Sequence, residues 1–230
     1  MKKVALFFTF LLLGTTGAFA QSSKYDLNGD GNVNVTDVIE LVGIILGTRH
    51  EAIDLGLPSG TKWASCNVGA TTPEEYGGFY AWGETEVKEI YGLHNYKFYQ
   101  SGSHVNIGSD ISGTENDVAH VKWGGEWCMP TLDDINELVN NSNAEWTTVN
   151  GVSGRKFTSK TNGNSIFLPH VGCRWYGDHA LAGSWGTYWT STYNPDKSSN
   201  AYSLDVGTQA AGWGDNDRYS GRCVRPVVRN

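Results

Sequence analysis

The side chains best suited to chemistry lie in one short stretch, Asp26 to Asp37, which reads D-L-N-G-D-G-N-V-N-V-T-D. Asp26, Asn28, Asp30, Asn34 and Asp37 put oxygen at positions 1, 3, 5, 9 and 12 of a twelve-residue loop, and Asn32 holds position 7. A hard cation such as Ca²⁺ takes six to eight oxygens at roughly 2.4 Å, and alternate residues of a tight loop can supply them. Gly31 stands at position 6, where the sharp turn needs a residue that accepts φ > 0. The spacing specifies a calcium loop, with Ca²⁺ as the expected cofactor. The plainer alternative is a metal-free turn, because Asn, Asp and Gly dominate turns in any case.

Beyond the loop, Val38, Ile39, Leu41, Val42, Ile44, Ile45 and Leu46 predict a helix of about ten residues whose apolar positions cover more than one stripe. Such a helix needs a partner. With Asp rather than Glu at position 12 and the run ending Ile44-Ile45-Leu46-Gly47, residues 21–47 resemble one EF-hand-like repeat of a type I dockerin. A dockerin proper packs two repeats together, and no second copy occurs in this chain. The helix is therefore expected to meet a cohesin-like protein, a copy of itself, or the flank of the larger domain.

Lys2 and Lys3, the apolar run from Val4 to Leu13 and the pattern Ala18-Phe19-Ala20 read as a secretory signal peptide over residues 1–20. Its apolar core is too short to span a membrane, and no Cys follows Ala20 to take a lipid. The expectation is export, to the periplasm, the cell surface or beyond, without a transmembrane segment. The chain carries 17 Lys and Arg against 24 Asp and Glu, and loss of Lys2 and Lys3 takes the net charge from −7 to −9. Nucleic acid is excluded as an expected partner on that balance.

All nine Trp lie at or beyond Trp63. An aromatic-poor appendage thus gives way to a distinct domain, with residues 48–52 as linker and 53–230 as the domain, long enough for one substantial core. Cys66, Cys128, Cys173 and Cys223 remain after export. In an oxidising compartment an even number suggests disulfides, with three possible pairings; buried free thiols are the alternative.

Within the domain, Ile53 to Leu57, a turn at Pro58-Ser59-Gly60 and the run from Trp63 to Cys66 predict a hairpin. Thr72-Pro73-Glu74-Glu75 has the form of a helix start that Gly77-Gly78 stops almost at once. Thr131 opens a capping box with Asp134, and Leu132, Ile135, Leu138 and Val139 give the buried face of a longer helix. From Trp146 onward the pattern turns to strands, with hairpin turns at Asn150-Gly151 and Asn162-Gly163-Asn164. Short helices followed by a strand-rich, Gly-rich half predict an α+β domain with long irregular loops.

Several phrases of this domain carry a family resemblance: DLGLPSGTKWASCNVGA (54–70), YGGFYAWGET (76–85), WGGEWCMPT (123–131), NGNSIFLP (162–169), YWTST (188–192) and GRCVRPV (221–227). Together they resemble the Fibrobacter succinogenes major paralogous domain family, which is related to C-type-lectin-like folds. The resemblance implies that the terminal strands pair, Ile53–Leu57 with Cys223–Val227. Where the family usually has Arg and Ser, this chain has Cys128 and Cys223, which makes a disulfide between those two attractive and leaves Cys66 and Cys173 as the second candidate pair.

C-type-lectin-like domains display ligands on the irregular surface of their second half, here about Arg174 to Arg222. Trp175, Tyr176, Trp185, Tyr193, Trp213 and Tyr219 are interleaved there with Asn194, Asp196, Asp215, Asn216, Asp217 and Arg218. Aromatic faces that stack on sugar C–H surfaces, with amides and carboxylates for the hydroxyls, suit a glycan; the same vocabulary also suits a surface protein. Trp189, Tyr202, Leu204 and Val206 read as core. Asn194-Pro195-Asp196 and Trp213 to Asp217 are similar in spacing to the two tripeptides with which calcium-dependent lectins hold metal and sugar. The formylglycine-generating enzymes share a related fold, but their copper-thiol chemistry needs accessible reactive cysteines, and the scattered His residues show no metal-ligand spacing. The expected function is noncatalytic recognition, most simply of carbohydrate in polysaccharide breakdown, with an adhesin role as alternative.

Calcium added to EDTA-treated protein should increase helical circular dichroism, and Asp26→Ala combined with Asp30→Ala should abolish the change. Identical spectra with and without calcium would remove the calcium loop from the account.

Overall fold

Turn chemistry sets the strand pattern of this chain, whose computed structural model describes residues 25, 32–35, 37, 38, 41, 43 and 50–229. The chain divides into two units, 1–49 and 50–230. In the first, residues 35, 37, 38, 41 and 43 are helical. The Asp37 carboxylate accepts the Asn34 N–H at 2.7 Å, and the Asp37 N–H donates to the Asn34 carbonyl at 3.2 Å. Loop positions 9 and 12 are thus held side by side. Asp26, Asn28, Asp30, the 1–20 leader and residues 48 and 49 of the linker lie outside the described residues.

The second unit is a sheet-rich mixed α+β domain. β1 (Ala52–Asp54) and β2 (Lys62–Ala64) form the expected hairpin, its turn closed by Gly60 at φ +77°. β2 also pairs with β14 (Val227–Val228), which pairs in turn with β5 (Trp127–Cys128). This corrects the expected terminal pairing: Val227 stands opposite Trp63 of β2, and the 53–57 strand does not meet it. The reason is local. Beyond Asp54 the chain turns away through Gly56 at φ +60°. Its carbonyls then dock on the 159–164 turn, where Asp54 O accepts from Asn162 Nδ2 (3.0 Å) and Asn164 Nδ2 (2.8 Å), and Leu55 O accepts from Ser159 Oγ (2.5 Å).

A second sheet is the meander β6 (Ser142–Val149), β7 (Val152–Ser159) and β8 (Ser165–Pro169). Asn150 and Gly151, at φ +47° and +83°, give the two left-handed residues that a type I′ turn requires. A third is β11 (Trp185–Tyr193), β12 (Asn200–Gly207) and β13 (Ala211–Asp217), and β3 (Tyr99–Gln100) with β4 (Ser103–His104) forms a small hairpin.

The helices are set by their caps. Asp117, fully buried, caps α1 (Val118–Trp123) by accepting the N–H groups of Ala119 and His120, while its other oxygen accepts those of Gly113 and Met129. Burial pushes its carboxyl pKa up, and the four amides oppose that rise. Thr131 and Asp134 make the expected capping box of α2 (Leu132–Asn141). The Asp134 carboxylate also takes Arg229 Nη2 at 2.7 Å, which ties the helix start to the end of the chain. Residues 72–75 make only a turn, because Glu75 folds its carboxylate back onto the Thr71 and Thr72 N–H groups.

Trp63, Phe157, Leu168, Tyr188, Leu204 and Val206 belong to the main core, and Trp82, Trp189, Ile111 and Met129 to a second cluster. The reading of Trp189, Leu204 and Val206 as core holds, whereas Tyr202 is half-buried. The structure holds none of the expected disulfides, and all four thiols are free in it. Cys128 stands opposite Val227 with Arg229 Nη1 at 3.0 Å from its sulfur, while Cys223 is bridged to Tyr188. Cys66 donates to Ala70 O, and Cys173 stands opposite Ala180. The register that makes Val227 the partner of Cys128 sends Cys223 elsewhere, so the two thiols have no shared position.

Arg225 is fully buried and donates to Asn67 Oδ1 (2.8 Å), Ala64 O (3.1 Å), Ser65 O (2.8 Å) and Phe167 O (3.0 Å). Burial lowers its pKa, and it stays charged. Those acceptors cannot be removed with it. Arg225→Met should therefore cost about 3 to 5 kcal/mol in urea unfolding; a loss under about 1 kcal/mol would mean that water satisfies the same carbonyls.

Candidate ligand-binding surface

A two-residue hairpin turn puts two exposed aromatics of the second half together. β9 (Cys173–Trp175) and β10 (Asp178–Ala180) pair Trp175 with Asp178, so Tyr176 and Gly177 form the turn, at φ +44° and +91°. A turn with two left-handed residues favours Asn-Gly; a Tyr in the first place carries backbone strain. In exchange, its ring projects outward. Trp175 is 49% and Tyr176 53% exposed.

Hydrogen bonds fix this ledge from below. Trp175 Nε1–H donates to Tyr219 Oη at 3.4 Å, and Tyr219 Oη–H donates to Asp217 Oδ2 at 3.0 Å. Ring centroids lie 5.3 Å apart for Trp175 and Tyr176, and 6.0 Å for Tyr176 and Tyr219. His94 lies nearly parallel to Tyr176 at 6.5 Å. Burial raises the Tyr219 pKa, and the Asp217 carboxylate adds to the rise, so the phenol stays a donor.

Next to the ledge is an open cavity of about 410 Å³, with Phe79, Val87, Lys88, Glu89, Tyr91 and Arg174 among its lining residues. Tyr91 joins the two features: its carbonyl accepts the Tyr176 N–H at 2.9 Å, while its hydroxyl donates to Phe79 O and accepts the Lys88 N–H. Arg174 lies over the Phe79 ring at 5.3 Å and pairs through its backbone with Gly221. Only Gly fits there, since a Cβ would come within 2.9 Å of both Arg174 and Tyr91.

No family model, curated protein or solved structure matches this chain.

Of the residues expected to display ligand, Trp175, Tyr176, Asp217 and Tyr219 are brought together. A second group gathers on β12 and β13, where Trp213, 60% exposed, packs edge-on to Tyr202 at 5.8 Å. Asn194-Pro195-Asp196 does meet β13 here: Asn194 Nδ2 donates to Asp215 Oδ2 at 2.8 Å. Asn200 Nδ2 (3.3 Å) and Lys197 Nζ (3.4 Å) approach the same oxygen, so a cation at Asp215 would have to displace Lys197. Asn194 is buried and closes its own loop by accepting the Asp196 N–H, which leaves Asp196 exposed. Asn216 donates to Ser203 Oγ at 2.8 Å. Trp185 lies across Gly207, where a Cβ would come within 2.4 Å of its ring.

Arg218 is a correction. It is 1% exposed and cannot reach a ligand. Its Nε donates to Tyr96 Oη (3.0 Å), Nη1 to Ser198 O (3.2 Å) and Nη2 to Val105 O (3.0 Å), and its guanidinium lies 4.7 Å over Trp82. Tyr193, half-buried, packs under the same guanidinium at 5.7 Å. Both residues anchor loops from the inside.

Sequence reasoning missed Tyr91, His94, Lys88 and Arg174. Arg174 immediately precedes Trp175-Tyr176 and could have been included, but no spacing signal joins residues 88–94 to residues 174–176.

Tyr176→Gly should melt close to the parent protein, because about 1 kcal/mol of left-handed strain is relieved as ring contacts of similar worth are lost. A loss above about 2 kcal/mol in thermal or urea unfolding would show that the ring holds the hairpin rather than being displayed by it.

Proposed function

We propose that this is an exported, noncatalytic recognition protein whose 53–230 domain, of C-type-lectin-like type, binds carbohydrate on the Trp175–Tyr176–Tyr219 ledge. The observation that carries this reading is the ledge itself: two exposed rings held on a strained turn, locked from beneath by Tyr219 and Asp217, beside a cavity of mixed polar and apolar lining. Rings fixed before binding lose little entropy when a sugar face stacks on them. Arg174 and Glu89 in the cavity offer a donor and an acceptor for hydroxyl groups. The single calcium loop fits a dockerin-like element that orders residues 21–47 and attaches the protein to polysaccharide-degrading machinery, an associational argument.

Protein recognition by the same ledge is the second reading, because Trp and Tyr are equally effective on protein surfaces. Thiol-based catalysis is disfavoured, since burial pushes the Cys66, Cys128 and Cys223 thiols up, away from the reactive thiolate.

On a glycan array the protein should retain a subset of polysaccharides. Trp175→Ala and Tyr176→Ala should each weaken that retention about tenfold or more, the worth of one stacked ring. Retention should survive EGTA, because the ledge is built without the Asp26 loop. Binding that is indifferent to both substitutions would move the site elsewhere. A silent array beside a positive pull-down of a surface protein would favour the adhesin reading.

A further inference from the structure

On the core face of the β6–β7–β8 sheet, two basic side chains are buried without the partners such groups require. Arg155 of β7 is 6% exposed and His170, just past β8, is fully buried. Arg155 stands opposite Leu168, and the His170 N–H donates to Ser153 O at 2.8 Å. That register makes Arg155 and His170 diagonal neighbours on one face, within reach of each other's long side chains.

The His170 backbone is fully used, because its carbonyl accepts the Gly183 N–H at 2.8 Å. At its ring the Gly183 backbone favours the protonated form, but neither Nδ1 nor Nε2 meets a partner with full hydrogen-bond geometry, and neither does Arg155 Nε. The guanidinium has one long contact, Nη2 to Thr208 O at 3.4 Å. Among the described residues Arg155 makes no ion pair. Burial lowers the pKa of both groups, and the Arg155 charge lowers that of His170 further. Elsewhere in the domain the buried arginines Arg218 and Arg225 each spend their donors on several acceptors.

Buried polar groups are overwhelmingly partnered, and an unpaired cation is the costliest exception. A group that supplies negative charge and several acceptors would satisfy Arg155 Nε and a His170 ring nitrogen together. We propose that Arg155 and His170 together bind one oxyanion, a carboxylate or sulfate. Trp146, opposite Arg155 and 52% exposed, and the exposed Thr208, whose carbonyl meets the guanidinium, adjoin Arg155. An anionic saccharide would present such a group with a sugar face for Trp146; a free inorganic anion has the same charge and no such face. The site uses none of the ledge residues and stands whether or not the ledge binds glycan.

The test is a titration of the full-length protein with sodium sulfate, sodium glucuronate and glucose at constant ionic strength, followed by the imidazole ¹⁵N resonances of His170 and the Arg155 Nε–H signal. Saturable shifts with sulfate or glucuronate, and none with glucose, are expected. Sulfate alone would assign a tetrahedral anion, and tighter binding of glucuronate an acidic saccharide. Arg155→Met should weaken the response about tenfold or more, the worth of one charge-assisted contact, and His170→Gln serves if that variant does not fold. Trp175→Ala should leave the response intact. Absence of any saturable shift in the parent protein, or unchanged affinity in the variants, would overturn the proposal and leave solvent as the partner of both groups.

Discussion

The guanidinium of Arg225, fully buried and bonded to Ala64 O, Ser65 O, Phe167 O and Asn67 Oδ1, meets the main physical difficulty of this domain. Several of its strands are two or three residues long, so much of the backbone lies outside any ladder. Every buried carbonyl in such a chain still needs a donor. One rigid fork with five N–H groups can serve several carbonyls from distant segments at once. Arg225 does this between β2, the following loop and β8, and Arg218 does it between the Val105 and Ser198 loops. Arg229 adds the Met129 carbonyl and the Asp134 carboxylate near the start of α2. These arginines are spaced along the last part of the chain, which threads the other segments and fastens them.

The ledge depends on that fastening. The ledge draws on residues near 91, 175 and 218, and it is positioned by the backbone pairing of Arg174 with Gly221, only four residues before Arg225. Arg218 lies next to Tyr219, so the side chain that locks the loops is adjacent to the one that supports Trp175. A strained Tyr176 can persist because its surroundings are over-determined. By contrast, Arg155 and His170 are buried without comparable partners, which marks them as different in kind from the structural arginines.

Much of the local structure was legible. The Thr131 capping box, the Asn150-Gly151 turn and the hairpin before Cys66 each rest on interactions among residues close in sequence, and each formed where its chemistry required. Trp189, Leu204 and Val206 read as core and are buried, while Tyr202, read the same way, is half-buried. The errors concern long-range choices. β14 chose β2 because Asp54 and Leu55 commit their carbonyls to the 159–164 turn. Cys128 and Cys223 were separated by that same register. Arg218 looked like a displayed residue because neighbouring polar and aromatic residues are displayed; only its contacts with Tyr96, Ser198 and Val105 show it to be internal.

By itself the sequence determined the caps, the turns, the strand-rich order and the spacing of oxygens from Asp26 to Asp37, because each depends on residues within a few positions of one another. Tertiary structure decided which aromatics share a surface, which arginines are buried, and which buried cations lack a counter-charge. Those outcomes depend on packing between segments as far apart as Tyr91 and Tyr176, or Arg155 and Thr208. Hydrophobic pattern specifies that such segments must be buried, but it carries no address for the partner. The address was supplied by backbone groups that had to find donors, and by the arginines that reached them.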